Sequence, residues 1–207
     1  MGRPWELDLV PLLIESEEWQ TIETGLMQRA ELLNLVLQDF YGPRELVRKG
    51  VLPPELLYSH PGFLYPCVNI PMPGSRALTF YAADLVRGTD GRVNVLSDRA
   101  QSPSGTGYAL ENRLVISRVL PSLFRDSHTH RLANFFRNTR NTLNTLSPRE
   151  GEEPGIVLLS PGPANEAYFE HAYLANYLGY TLVEGEDLTV RDNRVWLSTL
   201  EGLRPVD

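Results

Sequence analysis

Two aspartates lie on neighbouring strand-like segments and could together bind a hard cation. Asp84 is the one polar residue on the apolar face of segment 78–86, and Asp98 ends the next segment, 92–98. A buried carboxylate without a partner is costly, so an ionised Asp84 needs a cation or several hydrogen-bond donors. Because carboxylate oxygens are ligands that Mg²⁺ prefers, both aspartates are candidate metal ligands.

The turn between these segments decides whether the two aspartates share a face of the hairpin. A two-residue loop would pair Thr89 with Arg92 and would put the aspartates on opposite faces. A three-residue loop would pair Gly88 with Arg92 and would put them on one face. Gly91 can adopt the left-handed conformation that the last position of such a loop requires, so we predict the three-residue loop.

The predicted register brings the two carboxylates close enough to share cations. Asp84 then lies opposite Leu96, with Asp98 as its diagonal neighbour at about 7–8 Å. Phosphate oxygens could complete the coordination of a cation held between them. The alternative is that Arg99 or Arg87 binds one aspartate while the other caps the end of its strand.

A loop with two glycines follows the hairpin and leads into a helix. Gly105 and Gly107 lie within the loop 101–108, and glycines let backbone N–H groups approach a ligand. The start of a helix also favours an anion. The loop lacks the Lys-Ser/Thr ending of a P-loop and the third glycine of a dinucleotide fingerprint, so an ordinary connecting loop is the alternative.

A second polar segment, residues 160–171, comes directly after a buried-type strand and opens a helix. Ligands of open α/β sheets bind at the carboxyl ends of the strands. Asn165 and Glu166 are suited to the recognition of an amino group or an amide. Alternatively, Asn165 caps the helix and Glu166 complements its dipole.

The elements that would position these groups follow from apolar periodicity and from turn residues. A long amphipathic helix comes first, and the hairpin follows it. Two further helices precede a strand, a helix and a strand, and a final two-stranded ribbon ends the sequence. The predicted bounds are 16–40, 78–86 with 92–98, 109–124, 129–146, 155–159, 165–178, 180–184, and 188–191 with 194–197.

The strand-helix-strand order predicts a parallel βαβ unit, so the fold class is α/β. An antiparallel hairpin region with helices is joined to a small parallel layer. Residues 147–154 have the composition of a linker. We therefore predict one domain over residues 1–150 and the start of a second over residues 151–207.

Composition and charge argue against a nucleic-acid-binding protein, a disulfide-bonded protein and a membrane protein. The 207 residues are 42% hydrophobic and carry a net charge of -7, which argues against a nucleic-acid partner. Cys67 is the only cysteine, so no internal disulfide forms, and a reducing, cytoplasmic location is expected. The apolar runs are far shorter than a membrane span, so no membrane association is expected.

Three runs resemble the circularly permuted ATP-grasp family of the second type. They are residues 80–85 (FYAADL), 98–113 (DRAQSPSGTGYALENR) and 158–166 (LLSPGPANE). That family is similar in topology to glutathione synthetase and glutathionylspermidine synthetase. The resemblance implies an ATP-grasp-type hairpin region beside a pre-ATP-grasp-like layer. It also implies a ligase that uses ATP and Mg²⁺ to join a carboxylate to an amine through an acyl phosphate.

The resemblance also assigns expected roles to residues of this chain, although it identifies no catalytic residue. Asp84 and Asp98 correspond to metal-binding carboxylates. The small-molecule substrate, an amino acid or a peptide, would contact Ser102, Ser104, Tyr108, Asn165, Glu166 and Tyr168. Phosphate would contact Gly105, Gly107 and Arg99. Glutathione synthetase has Glu-x-Asn where this chain has Asp98-Arg99-Ala100, which leaves the second metal ligand open.

Members of that family are longer than this chain, so we expect a truncated piece of a larger protein. A piece without the nucleotide-binding lid should be inactive alone. A non-catalytic interaction or scaffold module is the rival interpretation. We also expect no element after the last ribbon, and hence an exposed apolar edge near residues 200–206 that favours self-association.

Overall fold

The computed structural model describes residues 6–8, 10–72, 74–149 and 151–207. The chain forms two compact units. The first spans Leu12–Pro103, and the second contains residues 104–207 with the described residues before Leu12. The predicted domain boundary at residue 150 therefore falls inside the second unit; Glu150 itself lies outside the described residues.

The long helix α1 (Ser16–Tyr41) organises the first unit, and its prediction is confirmed. Asn34 is buried on this helix, and its Oδ1 accepts the N–H groups of Ala77 and Leu78 at 2.8 and 3.1 Å. The helix thereby fixes the segment that leads into the hairpin. None of the described helices, α1 included, is long and apolar enough to cross a membrane.

Two short helices, α2 (Glu45–Arg48) and α3 (Pro54–Tyr58), connect α1 to the hairpin. The Asp39 carboxylate near the end of α1 accepts the N–H groups of Glu45 and Leu46 at 2.8 and 3.1 Å. These bonds satisfy donors that the first turn of a helix leaves unpaired.

The hairpin consists of β1 (Ala82–Arg87) and β2 (Val93–Arg99), and its turn is the predicted three-residue loop. The N–H of Gly88 donates to the carbonyl of Arg92 at 2.8 Å. Gly91 has a φ of 78°, which is the left-handed conformation that the loop requires.

A β-bulge farther along the hairpin reverses the predicted arrangement of the two aspartates. Asp84 pairs with Ser97, whereas the next residue, Leu85, pairs with Val95. Leu96 is the extra residue, and its side chain is 73% exposed. Because one additional residue moves every later side chain to the other face, the prediction that Asp84 and Asp98 share a face is wrong.

In the second unit, proline divides the helix that was predicted over residues 109–124. The structure has α4 (Thr106–Val119) and α5 (Pro121–Asp126). Leu120, between them, has φ -124° and ψ 61°, since a residue before proline is pushed out of the helical conformation. The next helix is α6 (Ala133–Leu146), which begins four residues later than predicted.

The predicted βαβ unit is confirmed. Strands β3 (Val157–Leu159) and β4 (Thr181–Val183) are parallel, and α7 (Tyr168–Leu178) connects them. The helix begins three residues later than predicted, because Asn165 forms a turn in which its Oδ1 accepts the N–H of Ala167 at 2.9 Å. The core of the unit lies between α4, α6 and α7 and is formed by Leu110, Phe136 and Leu178.

The last sheet has one more strand than the sequence predicts. Strand β5 (Leu188–Arg191) pairs with β6 (Arg194–Thr199), which in turn pairs with β7 (Gly202–Val206). The prediction that no element follows the ribbon is therefore wrong. Leu200 in the connecting turn is fully exposed, but self-association through this region stays a prediction.

Replacement of Asn34 by alanine should destabilise the first unit. It removes the acceptor of two backbone N–H groups, and unsatisfied buried donors cost about 1–3 kcal/mol. Urea denaturation followed by circular dichroism measures the change. Thr21→Ala is the control, because Thr21 is exposed on the same helix. An equal effect of the two substitutions would contradict this account of Asn34.

Candidate functional site

The second unit brings together two of the segments in which sequence reasoning placed ligand-binding residues. We call them the strand-end site: residues 160–171, which follow β3 and begin α7, and residues 104–108, which begin α4. The carboxyl end of a parallel strand is the usual ligand position in α/β sheets. Ser102 lies in the other unit.

A buried carboxylate joins the two segments. Glu170 is 1% exposed, and its two oxygens accept the N–H of Gly105 at 2.7 and 2.9 Å. The same carboxylate accepts the N–H of Gly107 at 2.8 Å. A buried acidic group requires such donors, so Glu170 holds the start of α4 against α7.

The two glycines of this loop are explained by that contact. A Cβ on Gly107 would lie 2.8 Å from Cγ of Glu170 and 3.3 Å from Cγ of Leu174. Gly105 has a φ of 121°, which a residue with a side chain rarely adopts. A phosphate-binding role for Gly105 and Gly107 stays a prediction, and in this conformation it would need groups other than these two N–H donors.

Aromatic stacking places Tyr108 against the start of α7. The rings of Tyr108 and Phe169 are 5.6 Å apart between centroids and inclined by 26°. Phe169 in turn stacks on Tyr173 at 5.8 Å. Burial raises the pKa of Tyr173, and its hydrogen bond with Glu111 adds to that rise. Tyr108 is thus fixed beside the segment that contains the other predicted substrate residues.

The predicted substrate residues near the start of α7 differ in whether their polar groups already form hydrogen bonds within the protein. The Asn165 amide oxygen is used in the local turn, as the capping alternative suggested. Glu166 is exposed, and it forms no hydrogen bond or ion pair with the described residues. Tyr168 is half-buried, and Ser104 is exposed. The substrate roles of these residues stay predictions, and the Glu166 carboxylate is open to a ligand.

Sequence reasoning missed a serine-histidine pair in this site. Ser160 is 1% exposed, and its Oγ lies 2.9 Å from Nδ1 of His171. Ser160 Oγ also accepts the N–H of Gly162 at 3.2 Å. Because the serine oxygen has two lone pairs and one proton, it can accept from Gly162 and either donate to His171 Nδ1 or accept from it, according to the histidine tautomer. The sequence features that could have indicated this pair are a serine directly after a buried strand and a histidine 11 residues later, in the following helix.

The hairpin aspartates of the first unit are both bound to arginines. Asp98 accepts from Arg29 at 3.0 Å and from the hydroxyl of Tyr81 at 2.6 Å. Arg29 and then Tyr81 lower the pKa of Asp98. Asp84 accepts from Ser97 and from Arg99 at 3.0 Å, and these two groups, Ser97 first, lower its pKa. The part of the alternative in which Arg99 binds an aspartate is confirmed, whereas the other aspartate, Asp98, binds Arg29 and Tyr81.

The hairpin does not fit a shared magnesium site in this conformation. Asp84 and Asp98 lie on opposite faces, and each carboxylate already has a cationic partner. Among the described residues, no group of three or more His, Cys, Asp or Glu side chains could hold a metal ion. Individual metal-binding roles for the two aspartates, and phosphate binding by Arg99, stay predictions.

The α/β fold, with its antiparallel hairpin and small parallel layer, is consistent with the ATP-grasp class. The family model for circularly permuted ATP-grasp type 2 matches residues 11–207. The chain belongs to that family.

Three relatives of this chain, from Mycobacterium tuberculosis, Mycobacterium leprae and Synechocystis, are uncharacterized proteins. An uncharacterized protein of Mycobacterium tuberculosis is 42% identical over 204 residues, covering 99% of this chain and 23% of that protein. Another from Mycobacterium leprae is 40% identical over 205 residues, covering 99% and 36%. A third, from Synechocystis, is 38% identical over 205 residues, covering 99% and 43%. The chain therefore spans less than half of each relative.

Replacement of Glu170 by glutamine should destabilise the second unit. The new amide places an N–H₂ donor where the carboxylate accepted two N–H groups, and hydrogen bonds to charged groups contribute about 1.5–3 kcal/mol. Thermal and urea denaturation measure the loss.

Glu166→Gln is the matched control for that substitution. It makes the same chemical change four residues away on an exposed side chain, so its effect should be below about 0.5 kcal/mol. Equal stability of the two variants would contradict the proposed role of Glu170.

Replacement of Arg29 by glutamine should raise the pKa of Asp98 toward its ordinary value of 3.8, because the strongest interaction that lowers it is lost. In the native protein, the stabilisation from this pair is present at neutral pH and is lost as the pH falls through the lowered pKa. Carbon NMR of the side-chain carboxyl measures the titration. Arg92→Gln is the control, and an Asp98 pKa unchanged by Arg29→Gln would contradict the assignment.

Proposed function

We propose that the intact protein containing this chain is an ATP-dependent carboxylate–amine ligase. The terminal phosphoryl group of ATP is transferred to a carboxylate oxygen, which gives an acyl phosphate and ADP. The nitrogen of an amine then attacks the acyl carbon, phosphate leaves, and an amide forms with loss of a proton from nitrogen. The observation that carries this proposal is membership of the circularly permuted ATP-grasp type 2 family over residues 11–207.

The strand-end site supplies groups suited to an amino acid or a small peptide. The exposed Glu166 carboxylate is open and can bind a substrate ammonium group. The His171 ring is held by Ser160 through Nδ1, so its Nε2 is the ring nitrogen that can form a hydrogen bond with a substrate. Tyr108, fixed by Phe169, offers an aromatic surface beside them.

ATP and Mg²⁺ are the co-substrate and cation proposed for the intact protein. ATP supplies the phosphoryl group, and Mg²⁺ offsets the charge that develops during phosphoryl transfer. No step is assigned to Asp84 or Asp98, because their observed geometry does not fit a shared cation. A cytoplasmic location is part of the proposal, since one cysteine in 207 residues suits a reducing compartment.

A scaffold role for this chain is the second candidate function. Several groups expected to bind ligands already have partners within the protein: Asp84 has Arg99, Asp98 has Arg29, and the N–H groups of Gly105 and Gly107 have Glu170. A segment with its polar groups satisfied internally can serve as a rigid support for another part of the protein.

Calorimetric titration with Mg-ATP distinguishes the two candidates. The ligase proposal expects the full-length protein to bind Mg-ATP, whether or not residues 1–207 bind it alone. An absence of binding by the full-length protein would overturn the ligase proposal and would favour the scaffold.

Glu166→Gln in the full-length protein should raise the substrate KM, because the neutral amide loses its charged contact with the ammonium group. A hydrogen bond to a charged group corresponds to roughly a tenfold change or more. The test is an ADP-release assay with pools of amino acids and small peptides. Glu186→Gln, an exposed change outside the site, is the control. A KM unchanged by Glu166→Gln would contradict the substrate role.

A further inference from the structure

A second cavity lies at the opposite end of the parallel strands from the strand-end site. It has a volume of about 360 Å³ and lies where β3 and β4 begin, within the second unit. The end of α6 and strand β7 also line it. Its polar lining includes Arg140, Asn144, Arg149, Glu153, Tyr180 and Arg204.

Two of the three arginines in this cavity are available to a ligand. Arg149 is neutralised by Asp207 and Glu152, whose oxygens lie 2.6 and 2.9 Å from its guanidinium. Arg140 and Arg204 form no ion pair with the described residues. Two guanidinium groups without carboxylate partners give the cavity an affinity for negative charge.

The buried hydroxyl of Tyr180 lies in the same cavity, and its proton has no acceptor among the described residues. Burial raises the pKa of Tyr180, and the charge of Arg140 and its hydrogen bond to the Tyr180 oxygen oppose that rise. Because a guanidinium group can only donate, this contact leaves the Tyr180 O–H without an acceptor. Buried polar groups are nearly always satisfied in folded proteins, so this O–H donor beside Arg140 indicates a missing acceptor.

We propose that this cavity binds a small oxyanion, namely a carboxylate or phosphate group, through Arg140, Arg204 and the hydroxyl of Tyr180. Both arginines donate in a planar fork that matches two oxygens of such a group. The Tyr180 hydroxyl donates to the anion and so gains the acceptor that its proton lacks. Glu153 also lines the cavity, but it is exposed, so solvent and salt screen its repulsion of an anion.

The site is independent of the proposed ligase reaction. The strand-end site begins at Ser160, after β3, whereas this cavity includes Ile156 and Thr181, before and at the start of the two strands. A failure of oxyanion binding would therefore leave the proposed function untouched. The chain carries a net charge of -7, so its surface as a whole should not attract anions, and anion binding would have to come from a local site.

Titration of residues 1–207 with inorganic phosphate, and separately with succinate, tests the proposal. Two-dimensional NMR at constant ionic strength should show saturable shifts of the Tyr180, Thr181 and Arg204 amides with at least one probe. The probe that binds identifies the type of group. Absence of saturation with both probes would overturn the proposal.

Three substitutions locate the binding site. Arg140→Gln and Arg204→Gln should each weaken binding about tenfold, the effect of losing one charge-assisted hydrogen bond. Arg131→Gln removes the same charge outside the cavity and should leave the Kd within about twofold. Equal weakening by all three variants would show general electrostatic attraction and would overturn the site.

Tyr180→Phe separates ligand binding from structural support. Removal of a buried hydroxyl whose proton has no acceptor should leave the melting temperature unchanged or raise it, while the affinity for the oxyanion falls. Unchanged affinity would remove Tyr180 from the site. A lower melting temperature with unchanged affinity would show that the hydroxyl supports the fold instead.

Discussion

The buried carboxylate of Glu170 is the constraint on which the second unit depends. An acidic group that is 1% exposed needs hydrogen-bond donors, and the chain supplies the N–H groups of Gly105 and Gly107. This contact fixes the first turn of α4 on α7 and sets the position of Tyr108 against Phe169. The arrangement of the strand-end site therefore follows from one interaction that is not itself exposed to a ligand.

The same contact occupies the backbone N–H groups of the glycine loop that a ligand would otherwise bind. A Gly-x-Gly sequence at the start of a helix is typical of anion binding, since it exposes backbone N–H groups. Here the anion is a side chain of the protein itself. Gly107 lacks a Cβ because Glu170 and Leu174 occupy that space, and Gly105 provides a positive φ. The groups that stay open to ligands are side chains, namely Glu166 and His171 at one end of the parallel strands and Arg140 and Arg204 at the other.

Those features that depend on local periodicity and turn chemistry could be predicted from the sequence. They include α1, the three-residue turn with Gly91, and the parallel βαβ unit. The bulge at Leu96 could not be predicted, because a single extra residue leaves the alternation of the strand almost unchanged while reversing the face of Asp98. Glu170 was also not predicted as buried, since a glutamate in the first turn of a helix ordinarily complements the dipole. Its donors lie more than sixty residues away in the chain.

Amide hydrogen exchange at Gly105 and Gly107 in the full-length protein tests the role of Glu170 most directly. Both N–H groups should exchange slowly in the free protein, and their protection should be the same after addition of Mg-ATP. Glu170→Gln should abolish that protection while the amide of Leu110, in the neighbouring core, stays protected. Fast exchange of both glycine amides in the free protein, with protection gained only on addition of Mg-ATP, would contradict this account. It would show that the loop binds the nucleotide and not the Glu170 side chain.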